Sequence, residues 1–146
     1  TVSPYEEVDS AKVFMSAAGT GTFEFNKALN STPYYLVIQH RNSIETWSLS
    51  GNSLSANNLS YDFTGAVNKA YGNNLKLKGS KYCIYSGDIN QDGYIDGSDV
   101  SLVDNDVFIS ASGYLNTDLS GDNFTDVNDL SLVDNNSFTS VTAVKP

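Results

Sequence analysis

The sequence is poor in the residues that most directly carry chemistry, with one cysteine, one histidine and one tryptophan in 146 residues. A lone cysteine excludes an intrachain disulfide and a cysteine-rich zinc site, and the apolar alternation around Cys83 predicts a buried, inert thiol. Nucleophilic catalysis requires a base beside a Ser, Cys or Thr, but His40 lies next to Arg41 with no signature partner in the sequence. Among the acids outside the acid-rich second half, Glu24, Glu45 and Asp62 are scattered singly, which does not suit glycoside hydrolysis. We therefore expect no enzyme.

Long apolar runs are also missing, and none approaches the roughly 18–20 residues of a membrane span. Residues 82–144 contain no lysine or arginine, although the same stretch holds eleven of the seventeen acidic residues. The formal net charge of −9 argues against nucleic acid and against anionic membranes as partners. The second half therefore has no cation of its own with which to pair its carboxylates.

The second half contains a duplication. Residues 88–106 read DINQDGYIDGSDVSLVDND, and residues 118–136 read DLSGDNFTDVNDLSLVDNN. A shift of 30 residues superposes four aspartates of the first copy on four of the second, and it superposes the segment Ser-Leu-Val-Asp-Asn on itself. A single copy could be a chance pattern, but two copies in register indicate one structural unit that occurs twice.

Each copy has the spacing of a 12-residue calcium-binding loop, in which oxygen ligands come from positions 1, 3, 5, 7, 9 and 12. Position 6 must turn sharply and is Gly93 in one loop and Asn123 in the other. Position 12 is aspartate where the usual pattern has glutamate. The alternative is a pair of Asp/Asn-rich turns that bind no metal. The predicted ligands are Asp88, Asn90, Asp92, the Tyr94 carbonyl, Asp96 and Asp99 in the first loop, and Asp118, Ser120, Asp122, the Phe124 carbonyl, Asp126 and Asp129 in the second.

Two Ca²⁺ ions are the expected cofactors, and they would change the net charge from −9 to −5. Without metal, each loop brings four carboxylates together, and like charges oppose ionisation. We therefore expect the second half to fold on binding calcium. Weak calcium sites suit extracellular modules, so we expect a secreted or cell-surface protein whose targeting signal is removed or upstream.

The duplicated pattern resembles the dockerin family over about residues 87–140. The resemblance implies two loop-helix motifs held by two calcium ions, with a pseudo-twofold surface that binds a cohesin domain. In dockerins the residues that contact cohesin lie at loop positions 10 and 11 and along the following helix. This chain has Gly97-Ser98 and Val127-Asn128 at those loop positions. On the helices it has Asp104-Asn105 and Asp134-Asn135 where many dockerins carry Lys or Arg, so the metal ligands carry over and the cohesin-binding surface does not.

The apolar residues after each loop predict two short helices that pack together through Val100, Leu102, Val103 and Phe108 and through Leu130, Leu132, Val133 and Phe138. Asp104, Asp106 and Asp134 are not needed by the loops. We expect them to be solvated at the helix ends, with an auxiliary cation site as the alternative.

Short strands separated by turn residues predict a small antiparallel β-sandwich in residues 1–86. Residues 1–10, with Pro4, are a linker or edge strand. Residues 34–40 (YYLVIQH) have the pattern of a central strand, and residues 44–49 should bury the face with Glu45, Trp47 and Leu49. Further strands are expected at residues 11–17, 22–25, 59–63, 75–77 and 81–85, with a turn of helix at residues 65–71.

The run GTFEF…TPYYLVIQH is similar to prealbumin-like and carboxypeptidase-regulatory β-sandwiches. Such sandwiches often have seven strands, so we expect a missing first strand to be supplied by upstream chain or by a neighbouring molecule. The predicted fold class is thus α+β: a β-sandwich over residues 1–86, then a helical dockerin-like domain over residues 87–146. The very short joint at Ser86-Gly87 implies that the two pack together, through Tyr82, Ile84 and Tyr85.

These features predict a non-catalytic, calcium-stabilised module that attaches a larger secreted protein to another protein domain, cohesin-like or a neighbouring copy. The alternative is a structural subunit of an extracellular filament or surface layer, assembled through an open strand edge and calcium. A carbohydrate-binding sandwich is a third hypothesis and would need exposed aromatics among Tyr34, Tyr35, Trp47 and Tyr61.

Overall fold

A computed structural model of the chain describes residues 5–146. Residues 1–4, and with them Pro4 of the predicted linker or edge strand, lie outside the described residues. The strands are β1 (Pro33–Tyr34), β2 (Val37–His40), β3 (Ser43–Trp47), β4 (Asn52–Ser53), β5 (Lys76–Lys78) and β6 (Lys81–Cys83), and the helices are α1 (Gly97–Phe108) and α2 (Val127–Phe138). A mixture of helices and antiparallel strands is therefore confirmed.

The chain divides into two compact units. One comprises the described residues up to Tyr34 together with residues 51–61, and the other comprises residues 35–50 and 62–146. The predicted boundary between residues 86 and 87 is not where the units separate. Residues 35–50 belong to the same unit as the two repeats, residues 88–106 and 118–136, because Ile44, from β3, lies in the same apolar core as the two helices.

The first unit has little regular structure. Its only paired strands are β1 and β4, with Pro33 opposite Ser53, and an isolated bridge joins Asn30 to Leu54. No strand forms among residues 5–29, so the strands predicted at residues 11–17 and 22–25 are wrong. The Phe23 and Phe25 rings stack with centroids 6.5 Å apart instead of lying on a sheet.

The predicted β-sandwich does not form within residues 5–146, where the strands make three separate two-stranded sheets, β1–β4, β2–β3 and β5–β6. The segment expected to be a central strand is broken at residues 35–36. Leu36 donates its N–H to the Ser48 hydroxyl at 3.0 Å and accepts from the Ser48 N–H at 2.8 Å. The remaining strand, β2, is exposed along most of its length and is not central.

Strand β3 buries the opposite face from the one predicted. Ile44 and Ser48 are fully buried and Thr46 is 1 % exposed, whereas Leu49 is exposed. The two hydroxyls tolerate burial because Thr46 donates to the Ile44 carbonyl at 3.1 Å and Ser48 donates to the Ser50 carbonyl at 2.9 Å. The more apolar face of residues 44–49, with Trp47 and Leu49, is therefore not the face that packs against the core.

Between β3 and the first repeat lie two short 3₁₀ helices, Val67–Lys69 and Tyr71–Asn73, and the hairpin β5–β6. No strand forms at residues 59–63. Cys83, at the end of β6, is exposed, so the prediction of a buried thiol is wrong. Tyr85 packs against the apolar core of the second unit.

Helices α1 and α2 begin and end at positions 30 residues apart and pack against each other. Val103 and Val133 are fully buried between them, with Val107 partly buried against the same core. Phe108 and Phe138 are 89 % and 88 % exposed and Leu102 is also exposed, so their predicted place in the core is wrong. On a helix with 100° per residue, Phe108 lies about 140° round from Val103, on the far side.

The duplication appears in the structure as a pseudo-twofold pairing in which each loop bonds to the chain that follows the other helix. Ile95 donates its N–H to the Val141 carbonyl and Thr125 to the Ala111 carbonyl, both at 2.9 Å. The next pair of bonds, Ala143 to Gly93 and Gly113 to Asn123, is also matched, at 2.8 Å each. Every residue here has its counterpart 30 positions away. Neither helix of the described chain is long and apolar enough to cross a membrane.

Candidate metal centre

The two predicted loops, residues 88–99 and 118–129, have the same backbone turn. Position 6 is in the left-handed region in both, with φ of +87° at Gly93 and +71° at Asn123. Position 4 is also left-handed, with φ of +60° at Gln91 and +80° at Gly121. Asparagine tolerates this region better than most residues, which explains how Asn123 replaces glycine without a change in the turn.

The position 1 carboxylates, Asp88 and Asp118, are each 2 % exposed and are held by their own loops. Asp88 accepts the N–H groups of positions 5 and 6 at 3.1 and 3.2 Å. Asp118 accepts the same two N–H groups at 3.2 and 3.1 Å. The sequence therefore places equivalent buried carboxylates at the bottom of both turns.

The position 12 carboxylates, Asp99 and Asp129, are completely buried and join the loop to its helix. The Oδ1 atom of Asp99 accepts the N–H groups of Ile89 and Asn90 at 2.8 and 3.2 Å, and Oδ2 accepts the N–H of Asp96 at 3.0 Å. Asp129 makes the three equivalent bonds at 2.8, 2.8 and 2.9 Å. In both repeats the last bond is half of a capping box with the N-cap aspartate at position 9, Asp96 or Asp126.

The other predicted ligands lie nearer the surface. Position 5, Asp92 or Asp122, is exposed and accepts the N–H of position 7 at 2.9 Å in both loops. Asn90 donates to Asp92 Oδ2 at 2.9 Å, and the Ser120 hydroxyl is 3.5 Å from Asp118 Oδ1. The Tyr94 and Phe124 side chains are exposed. Within residues 5–146, no group of three or more His, Cys, Asp or Glu side chains is close enough together to hold a metal ion.

The buried carboxylates have no cationic partner. Among the described residues, no lysine, arginine or histidine nitrogen forms an ion pair with Asp88, Asp99, Asp118 or Asp129. Burial raises the pKa of Asp88, and the neighbouring Asp99 and Asp92 charges raise it further, against the lowering effect of the Gly93 and Asp92 N–H groups. Buried charges are normally paired or bound to a metal, so this arrangement fits a bound divalent cation electrostatically.

The two loops differ beneath the turn. Gly87 precedes the first loop, and a Cβ there would approach Ile95 Cγ2 to 3.0 Å. Its counterpart Thr117 faces the smaller Thr125, with the two hydroxyl oxygens 3.1 Å apart, and donates to Asp106 at 2.6 Å. Asp106 is thus partly buried and hydrogen-bonded, contrary to the expectation of a solvated residue. Asp104 and Asp134 are exposed as expected.

Sequence reasoning missed the turn between β2 and β3, which contacts the second loop. Asn42 Nδ2 and Arg41 Nη2 donate to the Asp118 carbonyl oxygen at 3.0 and 3.2 Å. No local pattern links residues 41–42 to residue 118. The one available signal was the absence of any cation from residues 82–144, which implied that a cation near the loops would have to come from elsewhere.

Comparison with known proteins gives no match, whether to a protein family, to a curated protein or to a solved structure.

Proposed function

We propose that this chain is a non-catalytic, extracellular calcium-binding module that attaches the protein carrying it to another protein domain. Loop residues 88–99 and 118–129 would each hold one Ca²⁺ through the ligands predicted from the sequence. The ion would supply the positive charge that these acidic loops lack, and the chain itself would bring no catalytic group to the site.

One observation carries the proposal: four fully or nearly fully buried aspartates, two in each loop, accept matching backbone hydrogen bonds in the two repeats, and none of these carboxylates forms an ion pair with a cationic side chain among residues 5–146. An isolated buried carboxylate is expensive, and hydrogen bonds from backbone N–H groups offset only part of that cost. A hard divalent ion prefers carboxylate and carbonyl oxygens, which are what these loops offer. Asp92 and Asp122, now turned to solvent, would have to move toward the ion to complete the ligand sets.

Isothermal titration of Ca²⁺ into metal-free protein tests this directly. We expect two sites per chain, with a gain of helical circular dichroism at 222 nm on filling them and a much weaker response to Mg²⁺, which demands a tighter octahedral shell. The variant Asp118→Asn should lose one site and Asp104→Asn, an exposed helix aspartate, should lose none. Absence of heat and of any spectral change at millimolar Ca²⁺ would refute the proposal.

The exposed apolar residues of the helix pair support a protein as the partner. Phe108 and Phe138 are equivalent, nearly fully exposed phenylalanines, and Ile109 beside the first of them is 68 % exposed. Side chains of this kind are common in protein interfaces when they are grouped. The aromatics considered for carbohydrate binding are all half-buried, which gives that hypothesis no support.

A second candidate function, a self-assembling structural subunit, is favoured by a different observation. None of the buried hydrophobic residues among residues 5–146 belongs to the first unit, where Phe14 is 96 % exposed and Val8, Val13, Met15 and Leu29 are also exposed. A segment so apolar would gain a core by pairing with a neighbouring copy. Size-exclusion chromatography and negative-stain microscopy, with and without EDTA, separate the two: discrete particles support the attachment module and long polymers support the subunit.

A further inference from the structure

The two loops differ in how the carbonyl of their first residue is satisfied. In the first loop Gln91, at position 4, donates its side-chain amide to the Asp88 carbonyl oxygen at 2.5 Å. In the second loop position 4 is Gly121, which has no side chain to donate. The Asp118 carbonyl instead accepts from Asn42 at 3.0 Å and from Arg41 at 3.2 Å.

We infer that Asn42 and Arg41 are positioning residues for the second calcium loop. They donate to the carbonyl oxygen of its position 1 residue from outside the loop, whereas in the first loop Gln91 makes the equivalent bond from within the loop. This inference depends on the proposed calcium function. Asn42 and Arg41 would touch no ion. They would act through one peptide group of the loop.

That peptide group links the β2–β3 turn to the deepest ligand of the loop. Its carbonyl, from Asp118, accepts Asn42 and Arg41, and its N–H, from Leu119, donates to Asp129 Oδ1 at 2.8 Å. A peptide is planar, so fixing the direction of the carbonyl also fixes the direction of the N–H. Donors on the carbonyl also polarise the peptide and strengthen the bond that its N–H makes. The turn thus helps to orient the position 12 carboxylate.

Both the backbone and the side chain of Asn42 contact the loop region. It is 4 % exposed, and its own carbonyl accepts the N–H of Gly87, the residue before the first loop, at 2.7 Å. One residue therefore joins the starts of both loops: its backbone binds beside the first and its side chain binds the second. In the first loop the donor to the position 1 carbonyl comes from Gln91, so only the second depends on the Asn42 side chain.

Arg41 adds a positive charge where the repeats have none. Its guanidinium lies over the Tyr114 ring, 4.1 Å from the centroid, and its Nε and Nη1 atoms are buried with no hydrogen-bond partner among the described residues. Stacking on an aromatic face holds the group in place without using its donors. The arginine is therefore oriented by packing, which leaves Nη2 for the Asp118 carbonyl.

Heteronuclear NMR can read the two loops separately in one sample. The position 6 amides of Gly93 and Asn123 each donate to the position 1 carboxylate of their own loop, so each reports filling of that loop. In titrations with chelator-buffered Ca²⁺, Asn42→Ala should move the Asn123 midpoint to about three- to tenfold higher free Ca²⁺ and leave Gly93 within about twofold, as expected for one lost hydrogen bond. Asn105→Ala, an exposed helix residue, is the matched control and should move neither.

A rescue sharpens the test. Gly121→Gln in the Asn42→Ala background would restore an amide at position 4, in a backbone conformation that Gln91 already adopts and with no atom within 4 Å of the added Cβ. The Asn123 midpoint should return to within about twofold of wild type. Gly121→Ala in the same background adds a similar backbone cost without an amide, and it should not rescue.

The outcomes distinguish this inference from the proposed function. If wild type shows no shift at either amide, the calcium function itself fails. If wild type fills both loops but Asn42→Ala moves both midpoints equally or neither, Asn42 does not position the second loop and the inference is overturned. Should Asn42→Ala fail to fold, Gln91→Ala makes the same test at the exposed position of the first loop. It should weaken filling at Gly93 alone, and no change there would overturn the role assigned to these amides.

Discussion

Replacement of Ile44 by alanine tests whether the β2–β3 hairpin and the two repeats are one folding unit. Ile44 is fully buried and belongs to the same core as Ile89, Ile95, Val103 and Val133. Removing its outer carbons from such a site costs about 3 kcal/mol of unfolding free energy. For a unit of about 100 residues that corresponds to a fall in Tm of roughly 12–15 °C. The loss should appear in the helices, although Ile44 is in a strand.

Two probes make the measurement specific. Trp47, the only tryptophan, lies in β3 and reports the hairpin by fluorescence, while circular dichroism at 222 nm reports α1 and α2. Thermal and urea unfolding of Ile44→Ala at fixed Ca²⁺ should give coincident transitions by both probes, shifted together. Ile109→Ala makes the same chemical change at a residue that is 68 % exposed, and it should alter stability by less than about 0.5 kcal/mol.

A lower temperature for the fluorescence transition of Ile44→Ala, with the helical transition still at the wild-type temperature, would contradict this expectation. That result would mean that the hairpin and the repeats unfold independently, as the boundary expected from the sequence after residue 86 implies.

Three further predictions concern single residues. Gly87→Ala should destabilise the protein strongly, because φ is +123° and the new Cβ would meet Ile95 at 3.0 Å and Val133 at 3.3 Å. Gly97→Ala, whose new Cβ has no atom within 4 Å, is the control and should be neutral or stabilising. Urea unfolding of both variants measures the difference. In calcium-free buffer the raised pKa of Asp88 means that the folded state holds its proton more readily than the unfolded state. Its contribution to stability is therefore present below pH 3.8 and is lost as the pH rises through the folded pKa. The unfolding free energy of wild type minus that of Asp88→Asn should accordingly fall between pH 3.5 and 7 without calcium, and a difference that stays constant or rises would contradict the prediction. Burial alone would raise the pKa of Glu45, but hydrogen bonds from Lys145, Trp47 and Gln39 lower it below the ordinary 4.5. The stability that Glu45 contributes above pH 4.5 should therefore be lost as the pH falls through the folded pKa. Glu45→Gln should reduce the difference in Tm between pH 7 and pH 3.

Much of the repeat region could be predicted from the sequence because its information is local. The position of each turn is set by residues within the same twelve, such as Asp88 with Gly93 or Asp118 with Asn123, and each helix begins directly after its N-cap aspartate. The 30-residue shift predicted that both copies would have the same conformation, and their hydrogen bonds match. Whether calcium binds remains a prediction.

The first half could not be predicted in the same way because alternation in a strand says nothing about its neighbours. Trp47 and Leu49 make one face of β3 more apolar, yet the face with Thr46 and Ser48 is buried because the helix core lies on that side and both hydroxyls find carbonyls nearby. The TFEF segment alternates cleanly but has no strand beside it, so no sheet forms there. The contact between Asn42 and Asp118 joins residues 76 positions apart, and no local pattern encodes it.

The crossed pairing of each loop with the chain after the opposite helix affects the order in which the protein can mature. During synthesis the first loop emerges well before residues 141–143, whose backbone forms one side of it. The second loop finds its own partner, residues 111–113, already outside the ribosome. Because chains emerge from the N-terminus first, the first loop cannot form its backbone hydrogen bonds to residues 141–143 until those residues have been synthesised. A protease cut or a bulky fusion that displaces residues 141–143 would accordingly open the first loop and leave the second closed.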